Sequence, residues 1–272
     1  MIGICKYDLK EGFKAIRVKL VFFVVLITWI NYVTGNTLNM QMGDVSRRAT
    51  LIDYIACVIG GPRYIPKGQM NSYVIPILWL AIYVVIAYTV GSYPTQDLRG
   101  YGQHILMRSE KRIHWWIGKC VWNSVVVVFM FCVLYGMTAI NAMLHHARMS
   151  LAPTKEIVGL VAYTNLENAG KNEVAFLLLV MPVMVTLALS MLQMAIELII
   201  VPIAGFFVSQ SIVFLSTMYT IPVLFVNYAI LPHNSFSSGS SIHTLHGPIV
   251  CILVYAVTFI IGAVYFERCD IR

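Results

Sequence analysis

Long apolar runs alternate with short polar segments along almost the whole chain, and this pattern predicts membrane-spanning helices. A helix needs about 20 residues to cross the hydrocarbon core of a bilayer. Six runs can be counted, and they cover residues 20–35, 73–90, 119–140, 174–200, 203–231 and 248–266. The first run is too short to cross the bilayer unless the preceding helix continues into this run. Little more than Pro202 separates the fourth and fifth runs, so we expect a tight turn there between two neighbouring helices.

The polar segment before the first run has the pattern of an amphipathic helix. Over residues 1–19, basic side chains fall on one side of a helical wheel and apolar side chains on the other. Such a helix lies in a membrane interface, so we expect an elbow helix that is flat at the cytosolic surface and turns near Lys19 into the first span. The alternative is a solvated leader with topogenic charges. The predicted interface residues are Lys6, Leu9, Lys10, Phe13 and Lys14.

Composition supports a bilayer protein. Of the 272 residues, 59% are hydrophobic and 11% are charged, whereas a soluble domain has about 25% charged residues. The net charge of +7 does not indicate a nucleic-acid partner, because residues 172–267 contain no lysine or arginine. The six cysteines have no CxxC spacing and are expected to be reduced thiols. Two histidine pairs, at 145–146 and at 243 and 246, supply too few ligands for zinc, so we predict no metal site.

The distribution of basic residues predicts the orientation of the chain. Twelve of the 19 lysines and arginines fall in residues 1–19, 91–119 and 267–272. By the positive-inside rule these segments are cytosolic, with both termini inside. We therefore predict one all-α transmembrane domain over residues 1–272, a multi-pass protein of the cell membrane with six spans. Spans one and two lie in 20–90, and spans three to six lie in 119–266.

The segment between the second and third spans contains the strongest candidate for a docking element. Pro94 is expected to end the preceding helix, and Thr95 can cap a new, half-apolar one. We expect this short helix, over residues 97–107, to dock a cytosolic partner; the alternative is a linker resting on headgroups. Trp115 and Trp116 are expected in an aromatic belt at the inner membrane surface. The predicted docking residues are Asp97, Leu98, Arg99, Tyr101, Arg108, Glu110, Lys111 and Arg112.

Four features together resemble the membrane subunit of an ABC transporter of the type-2 exporter class, in particular the small permeases of Gram-positive bacteria. They are the basic amphipathic segment from Lys6 to Lys14, the segment from Arg108 to Lys119 that leads into span three, the junction from Pro202 to Phe206, and the aromatic, basic and acidic ending from Tyr265 to Ile271. The resemblance covers the whole length in topology. The outer loops, residues 36–72 and 141–173, are longer than in a minimal permease of that class.

The resemblance implies a division of labour between subunits. The helix after span two would be a coupling helix that docks on an ABC ATPase, and residues 231–245 would form short re-entrant helices. The sequence has no GxxxxGK[ST] motif, so ATP and magnesium would be bound by the partner subunit, and this chain would have no cofactor and no catalytic residue of its own. Because six helices make only half a pathway, a second permease chain, identical or paralogous, is also expected.

Polar residues inside the predicted spans are candidates for the translocation path. Gln193 and Glu197 are four residues apart and share one helix face, and span five carries many hydroxyl groups. The alternatives are a hydrated or neutral Glu197 near the headgroups and hydroxyls that bond to their own helix. The candidate path residues are Gln193, Glu197, Ser209, Gln210, Ser216, Thr220 and Asn227.

The function predicted from these observations is half of an ATP-driven export path for an amphiphilic substrate, such as an antimicrobial peptide, a lipid-like molecule or a drug. The alternative is a membrane protein that works without an ATPase, as a secondary carrier or as a sensory or structural partner. A carrier usually shows internal repeats and charges at the membrane midplane. Here we find no convincing repeat, and Glu197 is the one candidate charge.

Overall fold

The chain is helical, as predicted. A computed structural model describes residues 2–42, 48–64, 73–100, 102, 112–154, 157, 159, 170–234 and 242–268. Helices make up 82% of it, and the described residues contain no strand. The α-helices are α1 (Ile2–Met42), α2 (Leu51–Ile59), α3 (Ile77–Arg99), α4 (Ile113–Leu144), α5 (Lys171–Leu179), α6 (Met181–Ile199), α7 (Pro202–Met218) and α8 (His246–Arg268). Two 3-10 helices, η1 (Phe225–Ala229) and η2 (Leu231–His233), lie between α7 and α8.

Four helical segments in the described part of the chain are long and apolar enough to cross a membrane. They are Ile77–Leu98, Ile113–Leu144, Lys171–Ile199 and His246–Arg268, and α7 is a shorter apolar helix. Much of their surface is aliphatic and exposed; for example, Ile252 and Ile260 on α8 are each nearly 60% exposed. In water this surface would be unfavourable, whereas lipid tails cover it at no cost. The chain therefore has the helices of a membrane protein.

The predicted turn near Lys19 is wrong, because α1 continues without interruption from Ile2 to Met42. No proline or glycine lies between Phe13 and Thr34, so nothing in the local sequence breaks the helix. The first apolar run is thus extended by the helix that precedes it.

The predicted helix boundary at Pro94 is also wrong. Helix α3 runs through this proline to Arg99, so Asp97 and Leu98 belong to its last turn. Thr95 does not cap a new helix, since its hydroxyl donates to the Gly91 carbonyl of the same helix at 3.2 Å. A proline inside a helix removes one backbone hydrogen bond, which packing of the surrounding helix can offset.

The turn at Pro202 is confirmed, but the helix after it is shorter than the apolar run. Helix α6 ends at Ile199, α7 begins at Pro202, and the two pack side by side. The predicted span over residues 203–231 is helical only to Met218, and the short 3-10 helices begin at Phe225, before the predicted re-entrant stretch. The side-chain amide of Asn227 donates to the Tyr219 and Ile221 carbonyls, at 2.8 and 3.0 Å, and so stabilises the irregular backbone after α7.

The first of the two predicted outer loops contains a helix that the hydrophobic pattern did not predict. Helix α2 is almost entirely buried against the bundle. Its start is fixed by a capping box in which Asp53 accepts a hydrogen bond from the backbone N–H of Thr50 at 2.8 Å. Asp53 also accepts a hydrogen bond from the backbone N–H of Thr154 at 3.0 Å. The two predicted outer loops are therefore joined by direct hydrogen bonds.

Candidate functional site

A buried cluster of charges joins three helices at one end of the bundle. The Lys119 ammonium on α4 lies 2.5 Å from Asp8 Oδ1 on α1 and 2.6 Å from Asp97 Oδ2 on α3. The lysine side chain has no exposed surface, and the two aspartates are 1% and 5% exposed. Buried charges are tolerated when they are paired and hydrogen-bonded, so this cluster fixes the positions of the three helices relative to one another.

Two aromatic side chains complete the charge cluster. The Tyr93 hydroxyl donates to Asp8 Oδ1 at 3.0 Å, and the Trp115 indole N–H donates to Asp97 Oδ2 at 3.3 Å. Their rings also flank the ammonium, with the Tyr93 centroid 4.4 Å and the Trp115 centroid 5.1 Å from Lys119 Nζ. Cation–π attraction of this kind strengthens when the cation is removed from water. We call these five residues the charge cluster.

Sequence reasoning did not predict the charge cluster. It placed Asp97 at the start of a docking helix and counted Lys119 as a topogenic charge. The available signal was weak: Asp8 interrupts an amphipathic helix, and Lys119 falls within residues that are otherwise apolar. Nothing in the sequence indicates that Asp8 and Lys119, which are 111 positions apart, would meet.

Burial of the Asp8 carboxyl group gives the cluster a pH dependence. Burial raises the pKa of Asp8 above 3.8, although Lys119 and Tyr93 oppose the rise. The folded protein therefore holds this proton more tightly than the unfolded chain, so the resulting stability is present below pH 3.8 and is lost as the pH rises through the raised pKa. We expect the free energy of unfolding of the wild type, relative to Asp8→Asn, to fall over that range in denaturant titrations. A relative rise would contradict this.

Most of the predicted docking residues cannot be placed in a partner-binding surface. Tyr101, Arg108, Glu110 and Lys111 lie outside the described residues, as does the side chain of Arg99. Asp97 is buried in the charge cluster and so is not available to a cytosolic partner, which corrects its predicted role. Leu98 packs against the tryptophans of α4, and Arg112 lies immediately before that helix.

The two-sided character of the N-terminal segment is confirmed, but its apolar side packs on protein. Lys6, Lys10 and Lys14 are exposed, as predicted. Leu9 and Phe13 are partly buried against the main hydrophobic core, and the Phe13 ring meets Phe129 of α4 edge to face at 5.5 Å. Part of this apolar side therefore meets protein, because an amphipathic pattern is the same whether its apolar side meets lipid or another helix; that the rest lies among acyl chains stays a prediction.

The two adjacent tryptophans also lie inside the protein. Trp115 and Trp116 are 1% and 0% exposed and pack on Phe266 of α8, with ring centroids 5.2 and 5.5 Å apart. The Trp116 indole N–H donates to the Phe259 carbonyl at 3.0 Å. They therefore join α4 to α8 and do not form a lipid-facing belt.

Four of the predicted path residues come together where α3, α6 and α7 meet. Gln193 donates to Glu197 Oε1 at 2.7 Å and to the Ala87 carbonyl of α3 at 2.9 Å. The Ser209 hydroxyl of α7 donates to Gln193 Oε1 at 3.1 Å, and Gln210 donates to Ser209 at 3.4 Å. Among the described residues, Glu197 Oε2 has no hydrogen-bond partner. We call Gln193, Glu197 and Ser209 the polar triad.

A cavity of about 310 Å³ adjoins the polar triad. It is lined by Ala87, Tyr88, Gly91, Thr95, Gln193, Glu197, Pro202, Ile203 and Phe206. Gly91 leaves room for the ends of the Gln193 and Glu197 side chains, because an added Cβ would lie only 2.5 Å from Glu197 Oε1. Small residues at such crossings let helix backbones approach closely.

The remaining candidate path residues lie elsewhere. Ser216 is buried and donates to the Ile212 carbonyl of its own helix at 2.8 Å. Thr220 follows the end of α7 and is partly exposed. Asn227 is buried in η1, where it also contacts His233 Nδ1 at 2.9 Å. These three residues do not line the cavity beside the polar triad.

Comparison with known families gives one match. Residues 44–272 match a family described as "Protein of unknown function (DUF2705)". The chain belongs to that family. The match includes Asp97, Lys119 and the polar triad, but it begins after the α1 helix that carries Asp8. Neither the curated proteins nor the solved structures contain a match to this chain.

Proposed function

We propose that this DUF2705 chain is the transmembrane subunit of an ATP-driven ABC exporter, energised by a separate ATPase. The observation that carries the proposal is the charge cluster, because it joins the end of α3, the start of α4 and α1 at one point. Residues 100–112, the candidate coupling segment, connect those two helix ends. A movement of this segment, caused by a docked ATPase, would therefore be transmitted to α1, α3 and α4 together.

The cavity beside the polar triad supports a transport role. It lies between α3 and the hairpin of α6 and α7, and it combines a buried carboxylate with apolar and aromatic walls. Polar and ionisable groups inside a membrane are expensive and commonly mark a path for substrate. In this proposal the chain has six spans and cytosolic termini in the cell membrane, pairs with a second permease chain, and exports an amphiphile. ATP and magnesium bind to the partner subunit.

A second candidate function rests on Glu197. A buried carboxylate with one oxygen lacking a hydrogen-bond partner is also the kind of group that ion-coupled carriers use. In that case transport would depend on an ion gradient and would not require an ATPase. The two candidates differ in partner, and they can be separated by experiment.

The docking role is tested by reversing charge on both sides of the candidate coupling segment. In proteoliposomes that contain the chain and its ATPase, we expect Arg99→Glu with Arg112→Glu to abolish most of the ATP-dependent transport and to weaken ATPase binding, because like charges would replace complementary ones. The matched control is Lys10→Glu with Lys14→Glu, which reverses two exposed charges on α1. Full transport and ATPase binding by the first double variant would show that this segment does not couple the two subunits.

A further inference from the structure

We infer that the cavity beside the polar triad is a binding site for a primary ammonium group attached to an apolar body. The inference rests on the proposed function for its biological role, as it names the substrate class of that transport path. The binding site itself does not depend on an ATPase. Its parts are one carboxylate, a set of apolar and aromatic walls, and an opening on the outside of the bundle.

The carboxylate supplies the specificity. Glu197 is 5% exposed, and its Oε1 accepts from Gln193 while its Oε2 lacks a partner among the described residues. The donors of Gln193 are occupied by Glu197 and by the Ala87 carbonyl. The charge of Lys19 attracts that of Glu197 at longer range. The Lys19 ammonium donates to the Tyr88 carbonyl at 3.2 Å, and the two side chains do not form an ion pair within 4.0 Å. A ligand that donates hydrogen bonds and carries positive charge would satisfy the free oxygen.

The walls suit an apolar body next to the ammonium. Besides Gln193 and Glu197, the cavity is lined mainly by aromatic and aliphatic side chains, namely those of Tyr88, Pro202, Ile203 and Phe206, together with Ala87, Gly91 and Thr95. Ligand sites typically combine such a surface with a few polar groups that orient the ligand. An anionic headgroup is disfavoured, because Glu197 would repel it. A neutral alcohol would leave the charge of the carboxylate uncompensated.

The opening of the cavity indicates where the ligand comes from. Tyr88 and Ile203, which line it, are 59% and 62% exposed, so the cavity is open to the outside of the bundle. An amphiphile in the bilayer could enter there and place its ammonium beside Glu197 while its apolar body stays in lipid. Two sources share this chemistry: a soluble amphiphilic amine, and the ammonium headgroup of phosphatidylethanolamine.

Binding can be measured without any partner subunit. The chain is placed in phosphatidylcholine nanodiscs and titrated calorimetrically with 4-phenylbutylamine, with empty nanodiscs as the blank. We expect the amine to bind about tenfold or more tightly than 4-phenylbutanol, since a charge-assisted hydrogen bond is lost in the alcohol. This comparison uses the wild-type chain only. Equal binding of amine and alcohol would overturn the inference.

A conservative variant tests whether the Glu197 carboxylate is the group that binds the amine. Glu197→Gln keeps the size of the side chain and removes the charge, so it should lower amine affinity about tenfold and abolish the preference over the alcohol. The matched control is Glu267→Gln, at an exposed acid of α8 outside the cavity, which should bind like the wild type. Unchanged amine binding by Glu197→Gln would overturn the site.

Lipid composition distinguishes the two sources. If phosphatidylethanolamine occupies the site, adding it to the nanodiscs should weaken amine binding to the wild type and not to Glu197→Gln. If soluble amines are the ligand, binding should be the same in both lipid mixtures. If the chain binds the amine but no ATPase is recovered with it from native membranes, the site is retained and the exporter proposal is rejected. ATP-driven transport by a chain that does not bind the amine would reject the site and retain the exporter proposal.

Discussion

Replacing Lys119 with methionine is expected to destabilise the protein more than any other single change proposed for it. The substitution keeps an unbranched side chain, one atom shorter, and removes the ammonium that lies between Asp8 and Asp97. Two carboxylates would then be buried beside each other without a counter-charge. Breaking a buried ion pair by removing one partner costs about 3–5 kcal/mol, so we expect a loss of that size in the free energy of unfolding, measured by denaturant titration in detergent micelles.

The matched control is Lys14→Met on the exposed side of α1. The Lys14 side chain is 70% exposed and lies 3.7 Å from Glu11. Exposed ion pairs contribute about 0–1 kcal/mol, so this variant should unfold nearly as the wild type does. If the two lysine variants were equally stable, the charge cluster would not hold the helices together.

The second large effect is expected where α1 crosses α4. Gly12 packs directly on the indole of Trp122, and a Cβ at this position would overlap the ring. The ring cannot easily yield, because Trp122 is fully buried and packs on Tyr93 with centroids 4.7 Å apart. Gly12→Ala should therefore force the helices apart and lower the free energy of unfolding by about 1–3 kcal/mol, even though alanine favours the helix. Thermal unfolding followed by tryptophan fluorescence would report it.

Gly3 provides the control for helix propensity. It is exposed on the same helix, and nothing lies within 4 Å of an added Cβ. Gly3→Ala should leave stability unchanged or raise it by less than about 1 kcal/mol. A Gly12→Ala variant as stable as Gly3→Ala would show that α1 does not pack on α4 at this point.

Features that depend on local sequence could be predicted. The helical class follows from the length of the apolar runs, and the turn between α6 and α7 follows from Pro202, which cannot continue a helix at that position. The helical period of α1 predicts which of its sides is basic and which is apolar. It does not predict what the apolar side packs against. Gln193 and Glu197 could be paired in advance, because residues four apart on a helix are neighbours.

Features that depend on distant contacts could not be predicted. In the sequence, Lys119 has the pattern of a basic residue that flanks a membrane span. Its role depends on Asp8 of α1 and Asp97 of α3, which contact it only in the folded protein. The end of α7 depends on Asn227, which reaches back to carbonyls six and eight residues earlier. Pro94 is tolerated because α3 is packed on its neighbours around the polar triad and the charge cluster. In each case tertiary packing determines what the local pattern leaves open.

The central claim, that the chain works with a separate ATPase, is tested most directly by purifying it from its native membranes. The tagged chain is isolated in mild detergent and its partners are quantified by mass spectrometry, with an unrelated multi-pass protein purified in parallel. We predict strong enrichment of an ATPase that carries a GxxxxGK[ST] motif, in equal number with the permease chains. Recovery of the chain with no such ATPase above the level of the parallel purification would contradict the account.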